Sequence, residues 1–554
     1  MTGMDAVSHP VSYRDVDLHM EFRSPRARTF AIPAFWDGGK TLRVRFTPNE
    51  TGSWAGRVVS NVASWNDKEI SFTATESSAP GFVETATVHH FADTGPYAYN
   101  SLKKPHLWMG ETIPQLGAVS PEQFAQLAAT RAGQKFNHFR VTLLEPEIAK
   151  AFKGPDDFDP AIFRPIDEKL FAANKAGIAI DLSLAGPDNL FTRLFPEHTQ
   201  RRRFVQYAVA RYGGLNMTWQ GVDRFETYND GRELMKEIGG YLKEFDAYHH
   251  PTSCGAAITS SALFDDHWMQ YITYHSADPQ VGAVEHQIYG APQVNDFGGS
   301  DAASFRKGLW NAWMGGQYPE ATVPNEETAH EMEIWYKFAA GTRHWELEPF
   351  FDVDNGRGMS LPGVEYIIYV EKPGPVDVHL DEKHTYDVAW INPADGERQK
   401  MKDLKGDEFI GSPPDNAHDW VLHISREGHK GGMLKSYKFD SREIVMQDVE
   451  GIPDKVPFDI EKPDSEGFSI TVQPPYKVKV KKETKATKKM MYLWTGEVTA
   501  DGQGFRVIGT GPEGIFTIPQ NIALHYPAGI HVRLLGMNGY GKVYQADRNY
   551  DLNR

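Results

Sequence analysis

The spacing of hydrophobic and polar positions changes twice along the chain. From residue 11 to about 78, apolar and polar residues alternate in short runs (DVDLHMEF, RTFAIPAFWDGGK, TLRVRFTPNETGSW, AGRVVSNV, KEISFTAT) separated by Gly, Pro and Asn. Period-2 runs of this length predict a small β-sandwich. From Pro105 the runs alternate with helical segments, the rhythm of a parallel sheet joined by crossover helices. After about residue 345 the β rhythm returns in GVEYIIYV, VDVHLDE, TYDVAWINPADGE and DWVLHISRE, and a further β-rich portion runs to the end.

Within the middle region eight strands are expected: PHLWMGET with its loop, FNHFRVTLL, IAIDLSLAG, NMTWQGV, PTSCGAA, MQYITYHS, VGAVEHQIY and GQYPEATV. Ser120 with Pro121 and Gln123 predicts a capped helix start. A helix through Lys169 should stop at Gly177, another runs from Arg232 to Tyr248, FRKGLWNAWMG forms a third, and Asn325 caps a last one ending at Gly341. Eight strands in about 240 residues match a (β/α)₈ barrel of roughly 250. The expected fold class is therefore α/β: a TIM barrel flanked by N-terminal and C-terminal β-sandwich domains. The divisions are 1–80 (sandwich), 85–345 (barrel), 346–430 (sandwich) and 431–554 (β-rich).

The chemistry collects at two strand ends. The apolar run of the fourth strand breaks into Asp223, Glu226 and Asp230, and the seventh ends in Glu285, His286 and Tyr289. A strand buried on both faces has no use for an acid in its interior, so each acid marks an exposed carboxyl end. In a barrel such ends converge on one face. Two converging carboxylates suit hydrolysis of a glycosidic bond, with Asp223 as acid/base and Glu285 as nucleophile in a retaining mechanism. Their structural alternatives are ion pairs, Asp223 with Arg224 and Glu285 with Arg140 or Arg224. Arg140, Asp181 and His275 are candidate substrate-binding residues, Arg140 also as the cation that keeps Glu285 ionised. Arg224, Glu226 and Tyr289 join them by position, as does Trp108 as a stacking platform. Trp310 and Trp313, at i, i+3 on a helix, read as core.

Composition narrows the partners. The formal net charge of -16 argues against nucleic acid. Cys254 is the only cysteine, which rules out an internal disulfide and cysteine-based zinc binding. His249 and His250 are adjacent and would point apart on an extended chain, so no metal and no cofactor is expected. No apolar run approaches the roughly 18 residues of a membrane span. MTGMDAVSHPVSYRD lacks the basic start and apolar core of a signal peptide. Either the protein acts in the cytosol or a leader has been removed. The run KVKVKKETKATKK reads as a solvated hairpin.

The stretch AFWDGGKTLRVRFTPNETGSWAGRVVSN resembles the sandwich that precedes many bacterial polysaccharide-degrading barrels. Over roughly residues 85–428 the chain resembles the apiosidase-like glycoside hydrolases, whose barrel is often followed by a sandwich of collagen-binding type. Leu107-Trp108-Met109-Gly110-Glu111-Thr112 is similar to the family's first-strand motif, with Glu for Asp, which implies a substrate-side role for Glu111. Gly221-Val222-Asp223-Arg224 matches its acid/base motif with Val for the second Gly. Val284 to Gly290 matches its nucleophile motif without the final Glu, and WINPADGE and SPPDNAHDWVLHI match its sandwich. The resemblance implies a periplasmic or secreted enzyme acting on a plant, algal or microbial oligosaccharide or polysaccharide. It leaves the sugar, the linkage and the oligomeric state open. A carbohydrate lyase, using His138, Arg140 and His275, and a non-catalytic carbohydrate-binding barrel are the alternatives.

Overall fold

The computed structural model describes residues 2–5, 15–39, 41–77, 79–94, 103–276, 278–299, 301–429, 458–460, 467–472, 491–498, 506–511, 513–517, 529–538 and 541–551. Eight parallel strands form its centre: β1 Gly110–Ile113, β2 His138–Leu144, β3 Ala179–Ala185, β4 Met217–Val222, β5 Thr252–Ser253, β6 Ile272–Tyr274, β7 Gln293–Asp296 and β8 Gln317–Thr322. Their order is β5-β4-β3-β2-β1-β8-β7-β6. The first strand thus pairs with both the second and the last, and the sheet curls into a barrel. Among the described residues no ladder joins β5 to β6. There Ser253 Oγ lies 3.0 Å from Thr273 Oγ1, and the Gln270 N–H donates to the Thr252 carbonyl at 2.9 Å.

The helix caps follow from sequence. Ser120 Oγ accepts from the Gln123 N–H while Gln123 Oε1 accepts from the Ser120 N–H, starting Pro121–Gly133. Asn325 accepts from Thr328 to start Glu326–Ala339. Gly177 takes φ +87°, where a β-carbon is disfavoured, after the helix Arg164–Lys175.

The seventh strand is a correction. Val281 to Tyr289 does not form it: Pro279–His286 is an α-helix, capped by Asp278, which accepts from the Gln280 N–H. β7 follows at Gln293–Asp296. All six residues from Val281 to His286 are buried, because the helix lies between the barrel and the C-terminal sheet that contributes Met491, Leu493, Leu535 and Met537 to the same core. A helix covered on every side shows no polar face, and its apolar run reads like that of a buried strand.

The N-terminal sheet orders Thr29–Pro33, Leu18–Arg23, Gly52–Ser60 and Glu69–Ala74 as antiparallel neighbours. The N-terminal region docks on the barrel helices through Arg45, which follows the separate strand Thr41–Val44 and meets Arg211 of the helix His198–Tyr212 at Asp167 of the helix Arg164–Lys175. Arg211 grips this carboxylate with two bonds of 2.9 and 2.7 Å. After the barrel, VDVHLDE and TYDVAWI prove to be one strand, Val376–Ile391, packed on Trp420–Ser425 and Glu365–Val370 around Trp390, Trp420 and Tyr366. Arg306 ties this sandwich to the barrel, 2.7 Å from both Asp419 and Glu331. The basic run at 477–489 lies outside the described residues.

Candidate active site

Strand register builds the site. Thr322 lies opposite Thr112, Thr112 opposite Arg140, Arg140 opposite Asp181, and Asp181 opposite Thr218. Partners in a parallel sheet point to the same face, so these five form one polar layer inside a barrel that branched apolar side chains would ordinarily fill. Arg140 is its hub. Its Nε donates to Asp181 Oδ2 at 2.7 Å, and its Nη2 lies 2.9 Å from Glu320 Oε2. Asp181 also accepts from Thr218 (2.8 Å), Tyr271 (2.6 Å) and Gln220 (3.1 Å). Burial pushes the Glu320 carboxyl up. Arg140 opposes that push, while Asp181 and Asp296 add to it.

Above this floor, at the carboxyl ends of the strands, opens a cavity of about 330 Å³. Asp223 after β4, His275 after β6 and Asp296 at the end of β7 line it, with Arg140, Arg224 and Tyr274. Asp296 Oδ2 is braced by Thr112 Oγ1 at 2.9 Å and Thr322 Oγ1 at 2.7 Å. The Thr112 hydroxyl also reaches Glu320 Oε1 at 2.7 Å, and with one proton serves one acid at a time. Asp223 has its carboxyl raised by burial, against the pull of Arg224, Arg140 and His275. Arg224 beside it takes the left-handed conformation, φ +49°.

The remaining expected residues lie elsewhere. Glu285 is 2% exposed and is not among the described residues lining the cavity. It sits behind Tyr274, whose hydroxyl donates to it at 2.5 Å, while Ser261 and Thr259 donate at 2.7 and 2.9 Å. Burial raises its carboxyl despite those three bonds. Tyr289 follows the same helix and packs on Phe264. Glu111 points outward, because Thr112 points in, and pairs with Arg131 of the first barrel helix at 2.6 Å. Trp108 precedes β1 and is fully buried, stacked on the His138 ring at 3.3 Å. Glu226 accepts from the Ala257 N–H through both oxygens at 3.1 Å, linking the loops after β4 and β5. Asp181 belongs to the floor. Trp310 and Trp313 are core, and His250 is buried between Asp246 and the Leu215 carbonyl.

With this geometry in view, comparisons place the fold among known proteins. A family model described as "Domain of unknown function (DUF5060)" matches residues 5–61. No curated protein matches the sequence. Among solved structures, a candidate glycoside hydrolase from Bacteroides vulgatus superposes with a TM-score of 0.64 at 17% identity, covering 76% of this chain and 98% of its own. A glycoside hydrolase family 5 structure from the same organism gives a TM-score of 0.53 at 12% identity, covering 65% and 95%. A third, titled simply glycoside hydrolase, gives 0.53 at 12%, covering 63% and 98%. At these identities the likeness is one of fold.

Sequence reasoning missed Asp296, Glu320 and Thr112. The signal for Asp296 was present: QVND is a short β-prone run ending in an acid before Phe297-Gly298-Gly299. A four-residue strand starting after a proline reads as loop.

Proposed function

We propose that the protein is a glycoside hydrolase in which Asp223 is the acid/base and Asp296 the second carboxylate. The observation that carries this reading is that two acids from the ends of β4 and β7 line one cavity. One of them is raised by burial, as a proton donor needs. The other, which also lines the cavity, has one oxygen held by the Thr322 hydroxyl and shares the Thr112 hydroxyl with Glu320. The fold shared with glycoside hydrolase structures supports the same chemistry.

In the retaining form of the mechanism, the Asp223 proton passes to the glycosidic oxygen as that oxygen leaves. Asp296 bonds to the anomeric carbon at the same time. Water then gives a proton to Asp223 and attacks the same carbon, releasing Asp296. The cavity is at the small end of the roughly 300–1,000 Å³ range of ligand pockets, which suits a short stretch of sugar.

The test is release of sugar from a panel of plant, algal and microbial glycans and aryl glycosides by wild type, Asp223→Asn, Asp296→Asn and Glu285→Gln, with the product anomer followed by NMR. Loss of turnover in the first two variants with activity kept in the third supports the assignment. Loss in Glu285→Gln with full activity in Asp296→Asn, all variants folded, would return the nucleophile to Glu285. A product of inverted anomeric configuration would exclude the retaining form.

A further inference from the structure

Away from the cavity, three histidines gather round one carboxylate. His89 and His90 come from the hairpin Val83–Thr87/His90–Asp93, His286 ends the helix behind Tyr274, and Glu348 opens the strand Glu348–Phe350 that leads into the C-terminal sandwich. His286 Nε2 lies 2.7 Å from Glu348 Oε2, His89 Nδ1 lies 3.0 Å from the same oxygen, and His90 Nε2 lies 3.5 Å from Oε1. One atom each from His89, His286 and Glu348 falls within 4.8 Å of the others. Zinc bonds of about 2.0–2.2 Å imply tetrahedral ligand atoms roughly 3.3 Å apart, so His286 and His89 already stand about Glu348 near that spacing, while His90 approaches Glu348 alone and lies outside this close set.

Hydrogen bonding favours a cation among them. His89 Nε2 is 3.2 Å from the Tyr289 carbonyl, which can only accept, so Nε2 carries the proton. With Nε2 as donor, a singly protonated His89 turns its Nδ1 lone pair to the Glu348 carboxylate, acceptor against acceptor, a conflict that a second ring proton or a cation between the two relieves. A metal ion between them removes the conflict, and a ring N–H given to a backbone carbonyl is the usual outer support of a metal-ligating histidine. His90 Nε2 is buried and has no hydrogen-bond partner. The His286 ring fits because Gly316 has no side chain: a β-carbon there would stand 2.3 Å from His286 Nδ1. The three rings are nearly fully buried, while 28% of the Glu348 side chain remains open, which gives an ion a way in.

We propose that His89, His286 and Glu348, completed by a small shift of the His90 ring, form a structural site for a divalent transition metal, with zinc the best match to three imidazoles and a carboxylate. Four protein ligands leave no open position, the pattern of a structural rather than a catalytic ion. The ion would fasten hairpin, barrel and C-terminal sandwich to one another. Sequence spacing gives no hint of it, because the ligands come from three distant segments.

The experiment uses the full chain without a histidine tag. Bound metal is measured by mass spectrometry, the protein is stripped with chelator, and Zn²⁺ or Co²⁺ is added back while Tm and cobalt absorption are followed. Wild type should hold about one equivalent, lose Tm on stripping, and give the intense visible bands of tetrahedral Co²⁺. His90→Gln and Glu348→Gln should each weaken Zn²⁺ binding at least tenfold and no longer respond to the chelator. His379→Gln and His429→Gln control for the exposed groups Asp377–His379–Glu408 and Asp387–Asp403–His429. The proposal is overturned if wild type takes up neither ion, if His90→Gln and Glu348→Gln bind as wild type does, or if only the control variants lose the metal.

Discussion

Arg140→Met removes a cation set among three buried acids, Asp181, Glu320 and Asp296, and its cost should depend on pH. The guanidinium makes one well-formed bond to Asp181 at 2.7 Å and a 2.9 Å contact with Glu320 that is close but not aligned as a hydrogen bond. Both partners have fully buried side chains. Removing one member of a buried ion pair costs about 3–5 kcal/mol. A pair near 4 Å at an effective dielectric of about 20 gives a similar figure, ~4 kcal/mol. Because one of the two contacts is poorly aligned, the lower end, ~3 kcal/mol, is expected at high pH. Burial raises Glu320, and Arg140 is the largest opposing influence, so the variant raises it further. An acid raised in the folded state contributes stability that is fully present below its unfolded pKa, near 4.3, and is lost as pH rises through the folded value. The loss is about 1.4 kcal/mol per pH unit for each proton held. The folded value lies higher in the variant, so its stability keeps falling after that of wild type has levelled. Wild-type Glu320 is pushed up to about 8, so the deficit should hold at about 2 kcal/mol from near pH 5 to about pH 8 and grow to about 3 kcal/mol near pH 9. Urea unfolding followed by fluorescence of the buried barrel tryptophans, Trp219 and Trp310, at four or five pH values reads it directly. A deficit that is flat across this range, or that shrinks as pH rises, would refute the shared-charge account of the barrel floor.

Four other outcomes follow from the geometry. Asp223→Asn should lower kcat/KM by about 10²–10⁴ with Tm unchanged. In wild type kcat/KM should fall as pH rises through the raised Asp223 pKa, because the first step needs the protonated acid. Gly221→Ala would bring a β-carbon within 1.8 Å of Met235 Cε and should cost about 1–3 kcal/mol, and combined with Met235→Ala the loss should be less than the two separate losses added, as thermal melts of the pair would show. Asp278→Ala removes the cap of the buried helix, which accepts from Gln280 at 2.9 Å, and should lower stability by about 1 kcal/mol in the same assay.

The parts of this fold legible in sequence were those governed by local rules. Ser120 and Asn325 declare helix starts through bonds only three residues long, and β2, β3 and β4 are long enough to show as apolar runs. The carboxyl end of β4 gave Asp223 its place by the cavity. What failed was set by packing at a distance. The stretch around Glu285 reads as a strand because it is apolar throughout, whereas it is a helix whose cover the C-terminal sheet supplies. Glu111 was placed on the substrate side, but parity along β1 turns Thr112 inward and sends Glu111 to Arg131. The pairing of Arg140 with Asp181 depends on strand register, which no single segment records.

The cover over Pro279–His286 bears on how the chain is divided. Met491, Leu493, Leu535 and Met537 share one core with Val281, Ala283 and Val284, so the last segment completes the barrel although it reads as an appendage. Cutting the chain near residue 430 would not release an independent catalytic module. It would strip the apolar back of the wall that holds Tyr274, and a truncated protein would meet water, or another copy of itself, along that surface.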